Sequence, residues 1–542
     1  MIKNIFSKIK FNWKSGITVA LVSIPLSVSL AVASQSSPVE GIITAIWAGL
    51  VASLFGGSNY NIVGPTGALS GLLAAYALMH GSSSLAMLAI MCGVFILLAY
   101  AFKLERYLFF IPASTVHGFT LGVAFIIAFN QFNFAFGISG LKAHEKFFDN
   151  LIESLSHLGS ASGITTLVFL IFLGLLFLLL KLVPKIPGAI ILSFPGILLG
   201  YLSVNNYVPF KLLTLGQRFP DMNARLFTRP TFYFNSALVL TALTVALIAI
   251  LETMISARIA DNMTKTKYKK RKELFGLGLA NIASGLMGGI PATAALARTS
   301  LNIKTGATDK ISATISSVVI AIISLLFLTY FKFIPLAVIA AILVYVAIRM
   351  IEGEHFVRMY KLDKRSFAIS MVVAAITIYE DPIIGILVGV AIALLIFVDK
   401  ISRGQFELIV NDKEKKILER VTGERVSDVE NKVADVLVYS IKGQLAYINA
   451  QSHVERFEHA LQGYNTVILR LRELYFLDLD GVEAFDEIID VIQAQGKQVY
   501  VTGVNPLIAD LLRESKFFNK LNENKKVYSR TTQALVALGY HV

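Results

Sequence analysis

The sequence GGIPATAALARTS, residues 288–300, interrupts a largely apolar chain and constrains how that chain can fold. It begins with two glycines and Pro291, so a continuous membrane-spanning helix cannot pass through it. Small residues follow, and Arg298 is its single charged residue. Because irregular backbone is tolerated at membrane depth only where protein buries it or where it lines a polar cavity, the stretch predicts a broken helix. We expect its amino end to face a substrate.

The composition of the whole chain is typical of a membrane protein. Of its 542 residues, 55% are hydrophobic and 16% are charged, and the mean hydropathy is +0.67. Soluble domains contain about 25% charged residues, so most of this chain is expected to lie in a lipid bilayer. The net charge of +13 is ascribed to cytoplasmic loops, because no basic patch with interleaved aromatic residues indicates nucleic-acid binding.

Fourteen apolar runs between residues 17 and 399 predict fourteen membrane spans. The run 17–33 follows several lysines and resembles a signal peptide, but we expect it to be retained as the first span because many spans follow it. Basic residues concentrate in segments such as 265–272 and 358–365, which fourteen crossings place on the same side as both termini. That side is therefore predicted to be the cytoplasm.

A second irregular stretch resembles the first. Residues 54–57, LFGG, are followed by GPTGA at 64–68, much as LMGG at 286–289 is followed by Pro291 and a run of small residues. Each stretch falls in the third span of its own group of seven. Groups with an odd number of spans are inverted relative to each other, so the chain is predicted to be a 7+7 inverted repeat of helices. Corresponding broken spans of this kind indicate a transporter's binding site.

Two charged residues lie well inside predicted spans of the second half. Glu252 is in the run 236–257, and Arg298 is in the broken stretch. A charge at the centre of a bilayer costs about 2.5–3.5 kcal/mol on insertion scales, so a functional role is favoured. The alternative is a buried Glu–Arg pair that only holds two helices together.

The predicted site lies between two half-helices that begin near Thr66 and Ala294. Each amino end presents unpaired backbone N–H groups and about half a positive charge. Arg298 adds a forked cation that suits carboxylate, sulfate or bicarbonate oxygens, and small side chains let a ligand approach the backbone. We therefore predict that a small anion is bound by Thr66, Gly67, Ala68, Ala294, Ala295, Leu296, Ala297 and Arg298.

Glu252 is the predicted proton-coupling residue. When ionised it repels a bound anion, and removal from water favours its protonated form. Binding of the anion can therefore be coupled to binding of a proton, which is the basis of proton–anion symport.

Other polar residues give weaker indications. Ser23, Ser27 and Ser256 are candidates for lining the path, although small residues are equally suited to helix packing. His80 and His117 show no metal-ligand spacing along the chain. Because the sequence has no nucleotide-binding glycine loop, paired metal motif or nucleophile elbow, we expect no enzymatic activity, metal or cofactor.

The composition changes sharply after residue 403, where charged residues become frequent. Strands are predicted at 436–441, 466–471 and 498–502. Helices are predicted at 482–493 and 506–513. We therefore expect a transmembrane transport domain at 1–403 and a soluble, cytoplasmic α/β domain at 404–542, which is an ordinary size for one domain.

Together these stretches resemble the SulP family, the sulfate-permease type of anion transporter. Two of the blocks that resemble the family are GITVALVSIP at 16–25 and FGGSNYNIVGPT at 55–66. The other blocks that resemble it are residues 251–252, 273–274, 278–281, 288–293, 298–299 and 306–308. The resemblance implies core and gate domains like those of uracil permeases, which move as an elevator. It also implies a cytoplasmic STAS domain and a homodimer, in this case in a bacterial inner membrane.

Three departures from the family pattern bear on coupling and regulation. Leu26 stands where many members have glutamine, which removes a polar ligand. Leu296 stands where sodium-coupled bicarbonate members have threonine, so the resemblance favours protons over sodium. In the STAS motif DLDG, residues 478–481, Asp480 replaces the phosphorylatable serine, so we expect no phosphoregulation there.

The resemblance implies secondary active uptake of a small anion. Residues 24–27 and 291–298 are most similar to bacterial C4-dicarboxylate members, with sulfate carriers close behind. Sodium-coupled bicarbonate transport and anion exchange remain alternatives. A nucleobase permease is disfavoured by Arg298, since neutral bases need hydrogen-bond pairs rather than a fixed charge. A membrane-tethered scaffold or sensor, whose STAS domain binds a cytoplasmic protein partner, is the alternative from another class.

Overall fold

The computed structural model describes residues 2–106, 112–141, 144, 147–182, 188–223, 225–230, 234, 236–380, 382–411, 417–422, 434–459 and 464–540. The chain folds as two compact units, Met1–Val390 and Ala391–Val542. The predicted domain boundary at 403/404 falls between a long helix that ends at Ser402 and a strand that begins at Gln405.

The first unit is built from helices and two very short strands. In chain order its elements are α1 (Ile2–Ala33), α2 (Pro38–Phe55), β1 (Val63–Gly64), α3 (Gly67–His80), α4 (Leu85–Ala101), α5 (Ala113–Phe129), α6 (Phe132–Phe136), α7 (Phe147–Ser156), α8 (Gly163–Leu182), α9 (Gly188–Val204), α10 (Leu215–Arg218), α11 (Ser236–Thr264), α12 (Lys270–Leu286), β2 (Thr293–Ala294), α13 (Leu296–Lys304), α14 (Ile311–Phe331), α15 (Leu336–Met350), α16 (Gly353–Leu362) and α17 (Lys364–Tyr379). The next helix, α18 (Pro382–Ser402), crosses the boundary between the two units.

Most of these helices have the length and composition of membrane spans. Within the described residues, nine helices are long and apolar enough to cross a bilayer, and α3 is a shorter apolar helix. Large apolar side chains such as Leu170 and Leu326 are exposed on them, as lipid-facing residues are expected to be. The predicted helical membrane domain is therefore confirmed, whereas the number of fourteen spans stays a prediction.

Glycines allow α4 and α12 to pack closely. A Cβ atom at Gly93 would lie 2.6 Å from the carbonyl oxygen of Gly278, and one at Gly285 would lie 2.3 Å from that of Ala86. Both distances are too short for any side chain, so the two helix backbones touch. Such close contact through small residues holds helices together in lipid, where the hydrophobic effect supplies no force between them.

Both irregular stretches break their spans, as predicted. The backbone between α2 and α3 contains β1, and the backbone between α12 and α13 contains β2. The two strands pair in antiparallel fashion, with Val63 opposite Ala294 and Gly64 opposite Thr293. The corresponding stretches of the two halves therefore meet and run in opposite directions, as an inverted repeat requires.

The second unit is an α/β domain. Its elements after α18 are β3 (Gln405–Asn411), β4 (Ile417–Thr422), β5 (Ala434–Leu445), α19 (Ala450–His459), β6 (Tyr464–Arg470), β7 (Leu474–Leu477), α20 (Leu479–Ala494), β8 (Gln498–Thr502), α21 (Pro506–Leu512), α22 (Lys516–Glu523), β9 (Val527–Tyr528) and α23 (Thr531–Ala537). The three predicted strands correspond to β5, β6 and β8, and the two predicted helices correspond to α20 and α21. Strands β3 and β4 were not predicted, because their charged residues obscure the alternation of apolar side chains.

One mixed sheet organises this unit. Its strand order is β4-β3-β5-β6-β8-β9, and β7 pairs with β5. Strands β3, β4 and β5 pair antiparallel, and the remaining pairs are parallel. Side chains alternate between faces along β5, so Leu437 and Tyr439 join the larger core with α19 and α20, whereas Val436 and Val438 pack towards α23.

The start of α20 contains the motif in which Asp480 replaces a serine. Asp478 caps this helix by accepting a hydrogen bond from the backbone N–H of Gly481 at 2.8 Å. Asp480 is exposed in the first turn, where a carboxylate interacts favourably with the helix dipole. Its effect on phosphoregulation stays a prediction.

Candidate functional site

The pairing of β1 with β2 brings the amino ends of α3 and α13 to one place. Thr66 precedes α3 and Ala295 precedes α13, both with extended backbone, and neither residue caps its helix with a side-chain hydrogen bond. The first backbone N–H groups of both helices are therefore not satisfied by side-chain caps. Two helix amino ends in one place favour a negative charge between them.

The first residues of both helices line a cavity of about 580 Å³. Its walls include the predicted site residues Thr66, Gly67, Ala68, Glu252, Ala295, Leu296, Ala297 and Arg298. The structure places Ala294 differently, because this residue is fully buried in β2 and does not line the cavity. Leu26, the residue named above as a departure from the family pattern, contributes apolar wall to the cavity.

Arg298 lies in the first turn of α13 and is only 2% exposed. Its Nη2 donates a hydrogen bond to the carbonyl oxygen of Pro65, and its Nη1 has no hydrogen-bond partner among the described residues. Gly64 makes room for this side chain, since a Cβ atom there would lie 2.8 Å from Nη1. The guanidinium is thus anchored at one nitrogen and retains a donor at the other.

Glu252 is on α11 and accepts a hydrogen bond from the Thr66 hydroxyl at 2.9 Å. Among the described residues, no ion pair within 4.0 Å joins Glu252 to Arg298. The direct Glu–Arg pair considered as a purely structural alternative is therefore not formed. Both side chains instead line the same cavity, where a ligand can interact with each of them.

Buried amide and hydroxyl side chains hold the irregular backbone before α13. Asn281 accepts a hydrogen bond from the backbone N–H of Ala292 and donates one to its carbonyl oxygen, both at 2.9 Å. Thr44 accepts from the N–H of Ile290 at 2.7 Å, and Ser284 donates to the Ile290 carbonyl oxygen at 2.7 Å. These contacts satisfy the polar backbone that a broken helix exposes at membrane depth.

A second network joins the two broken stretches to α11. Ser256 donates to Asn61 at 3.1 Å and to Thr299 at 3.0 Å, and Thr299 accepts from the backbone N–H of Ile62 at 3.2 Å. The structure therefore places Ser256, a predicted path-lining residue, in a buried network that connects α11 and α13 to the backbone just before β1.

The other two candidate path residues also lie outside the large cavity. Ser27 is fully buried on α1. Ser23 lines a separate cavity of about 10 Å³, which Arg298 also borders. A space of this size holds about one water molecule.

Several charged residues of the cavity were not predicted as site residues. Lys304, Arg349 and Glu352 line it together with Glu252 and Arg298, so three cations face two carboxylates. Protonation of Glu252 makes this balance more positive. Lys304 is the last residue of α13, the helix that contains Arg298. Its position on the broken helix could therefore have indicated from the sequence that it belongs to the site. Arg349 ends a regular span, and nothing in the local sequence connects it to the site.

Family models match both units of the chain. The model of the Sulfate permease family matches residues 10–373, and that of the STAS domain matches residues 429–534. The first match covers more than half of the chain.

Two relatives are similar along almost their whole length. The chain is 32% identical over 514 residues to "Putative sulfate transporter YvdB" of Bacillus subtilis (strain 168), with 94% of each chain covered. It is 24% identical over 544 residues to "Bicarbonate transporter BicA" of Picosynechococcus sp., with 97% of this chain and 94% of the relative covered.

Solved structures show the same fold. The structure of SLC26A9 matches with a TM-score of 0.82 at 15% identity and covers 98% of this chain and 90% of its own. The transmembrane domain of BicA, a cyanobacterial bicarbonate transporter, matches with a TM-score of 0.61 at 22% identity and covers 72% of this chain and 98% of its own. The chain therefore belongs to the sulfate permease family of membrane anion transporters and carries a STAS domain in its second unit.

Proposed function

We propose that this chain is a secondary active transporter that takes up sulfate or a C4-dicarboxylate together with a proton. The observation that carries the proposal is the meeting of two uncapped helix amino ends and a partly unpaired Arg298 beside Glu252 in one cavity. The anion lies between α3 and α13, where it accepts hydrogen bonds from Nη1 of Arg298 and from backbone N–H groups.

Glu252 couples the anion to a proton in this mechanism. The ionised carboxylate accepts from the Thr66 hydroxyl, and Thr66 itself lines the anion cavity. An anion placed there repels the ionised carboxylate, so the anion binds best when Glu252 is protonated. The protonated acid also removes one negative charge from the cavity, which reduces the electrostatic cost of carrying the anion across the membrane.

The helix packing supports an elevator movement. Helix α12 packs against α2 and α4, and α14 packs against α1 and α2, whereas α17 packs against α5 and α15 packs against α5 and α8. We assign α3 and α13 to the first group because both also pack against α1. The cavity is then lined by Ala68 and Arg298 from the first group and by Thr120 and Arg349 from the second. In our proposal the first group moves with the anion past the second.

Sodium-coupled bicarbonate transport is the second candidate, and the similarity to bicarbonate transporters over almost the whole chain favours it. Leu296 argues against it, because this residue lines the cavity and its side chain has no oxygen with which to hold Na⁺. Homodimer formation in a bacterial inner membrane, with both termini cytoplasmic, is part of the proposal. So is a cytoplasmic protein partner for the STAS domain.

Uptake by proteoliposomes that contain the full chain tests the proposal. Labelled sulfate, fumarate and bicarbonate are offered separately, with an imposed pH gradient or an imposed sodium gradient. Accumulation of sulfate or fumarate that follows the pH gradient supports the proposal. Bicarbonate accumulation that requires sodium supports the second candidate instead. No transport of any of the three anions favours a scaffold or sensor.

A further inference from the structure

We propose that His117, Glu352 and His355 form a binding site for a divalent transition-metal ion of the zinc class. His117 is in α5, Glu352 immediately precedes α16, and His355 is in the first turn of α16. Glu352 and His355 are three residues apart, whereas His117 is far from both in the sequence, so spacing along the chain does not indicate the complete set. The packing of the helices brings them together.

The distances suit a small metal ion. Nδ1 of His117 lies 3.2 Å from Oε2 of Glu352, and Nδ1 of His355 lies 3.8 Å from the same oxygen. One ligand atom from each residue lies within 4.8 Å of the other two. Zn²⁺ holds nitrogen and oxygen ligands at about 2.0–2.2 Å in tetrahedral geometry, so neighbouring ligand atoms lie about 3.3–3.6 Å apart. The observed separations of 3.2 and 3.8 Å lie close to that spacing.

The ligand types select the class of metal. Two imidazoles and one carboxylate suit Zn²⁺ and its neighbours in the first transition series, whereas Ca²⁺ and Mg²⁺ prefer oxygen ligands alone. Three protein ligands leave a fourth position for water or an anion. The side chains of His117, Glu352 and His355 are 25%, 37% and 52% exposed, so an ion can enter without unfolding the protein.

The site belongs to the wall of the anion cavity, because His117 and Glu352 line it. Arg349 and Lys304 line the same cavity, and their positive charges repel a metal cation at this site. The donor set must therefore supply most of the affinity. The alternative is a simple ion pair between His117 and Glu352, which explains their 3.2 Å contact. Such a pair does not explain why the ring centre of His355 lies 4.9 Å from that of His117.

Binding of Co²⁺ and Zn²⁺ to the full chain in detergent tests the site. After the protein is stripped with a chelator, Co²⁺ is added and the visible absorption of tetrahedral cobalt is recorded, and Zn²⁺ is then added as competitor. We expect one ion per chain, with affinity at least about tenfold weaker in His117→Ala and in His355→Ala. His144→Ala is the matched control, because His144 forms a two-residue pair with Glu153 at 3.8 Å.

Equal affinity in the wild type, His117→Ala and His355→Ala would overturn the proposal, as would the absence of a tetrahedral cobalt spectrum from the wild type. His355 is half-exposed, so its substitution is expected to leave the thermal stability of the chain unchanged. A thermal unfolding curve for each variant distinguishes loss of the ligand from loss of the fold.

An effect on transport rests on the proposed function. We expect Zn²⁺ to inhibit anion uptake by the wild type and not by His355→Ala, because the bound ion occupies part of the wall of the cavity through which the anion passes. If the wild type takes up no anion, the proposed function fails while the cobalt result still decides the metal site. If zinc binds and uptake is unchanged, the inhibitory role is overturned.

Discussion

Arg298 has an anchor and a free donor on one side chain. Because Nη2 is held by Pro65, Nη1 can meet an anion without first being ordered, which lowers the entropic cost of binding. A lysine carries a single ammonium group and cannot serve both positions with the same geometry.

Arg298→Lys is therefore expected to keep the fold and to raise the apparent KM for the anion at least about tenfold, which corresponds to about 1.4 kcal/mol. The measurement is the initial rate of uptake into proteoliposomes as a function of anion concentration. Arg225→Lys is the control, since Arg225 pairs with Asp221 and both side chains are exposed. An unchanged KM in Arg298→Lys would show that the guanidinium does not contact the anion.

Glu252→Gln is expected to separate the anion from the proton. Glutamine resembles the protonated acid and cannot release a proton, so uptake driven by a pH gradient is lost while exchange of external for internal anion persists. The two modes are measured with the same vesicles, either with an imposed pH gradient or with anion preloaded inside.

A suitable control for Glu252→Gln is Glu40→Gln. Glu40 is the acidic residue of the capping box of α2, and it does not line the cavity. Continued accumulation along the pH gradient by Glu252→Gln contradicts the coupling role. Loss of both transport modes indicates that Glu252 supports the structure instead.

At the scale of elements, the break between α12 and α13 depends on hydrogen bonds from side chains. Asn281→Ala is expected to destabilise the first unit, because two backbone groups of Ala292 lose their partners, at about 1–3 kcal/mol each. Thermal unfolding of the full chain in detergent measures the change. Asn205→Ala removes one hydrogen bond at an exposed helix end and serves as control. A melting temperature no lower than that of the control refutes this role of Asn281.

The contact between β5 and α19 makes the second unit sensitive to acid. His453 lies in the core, with its Nδ1 2.7 Å from the Tyr439 hydroxyl oxygen, and burial together with the nearby charge of Arg456 lowers its pKa from 6.5 to about 3. The unfolded chain therefore binds a proton that the folded unit excludes. Stability is complete above about pH 6.5 and falls towards pH 3 by about 1.4 kcal/mol per pH unit.

Hydrogen exchange in the full chain checks this pH dependence. Amides of β5 and α19 are expected to exchange faster at pH 5 than at pH 7, after correction for the intrinsic pH dependence of exchange. In His453→Gln, which stays neutral, the difference is expected to shrink. The same pH dependence in the variant would assign the effect to another group.

At the scale of the whole membrane unit, an elevator requires α3 to move relative to α5. These helices touch where a Cβ atom at Gly71 would lie 3.6 Å from Cγ2 of Ile126, so cysteine side chains at the two positions lie within reach of each other. In a Cys92→Ala background, Gly71→Cys with Ile126→Cys is expected to lose uptake on oxidation and to recover it on reduction.

The control cross-link joins α8 of the second group to α9, the helix that follows it directly in the chain. A Cβ atom at Gly188, at the start of α9, would lie 3.4 Å from Cβ of Leu179 in α8. Oxidation of Gly188→Cys with Leu179→Cys is expected to leave uptake unchanged. Full uptake by the oxidised pair of Gly71 and Ile126 would contradict movement between the two groups.

Local chemistry determined which parts of the chain are membrane helices and where those helices break. Pro291 and the glycines of residues 288–289 exclude a continuous helix whatever surrounds them, and long apolar runs leave no alternative to lipid. The rarity of charge in such runs was sufficient to select Glu252 and Arg298. Short apolar runs likewise predicted β5 and β6 as buried strands, because such a run depends only on neighbours in the sequence.

Contacts between distant residues were decided by the tertiary structure alone. The pairing of β1 with β2 brings Thr66 to Glu252, buries Ala294, and leaves Glu252 and Arg298 on one cavity without a direct ion pair. The same packing places Ser256 in a buried hydrogen-bond network with Asn61 and Thr299. A sequence pattern records the preferences of each residue, whereas these positions depend on how helices far apart in the chain pack side by side, which no local pattern contains.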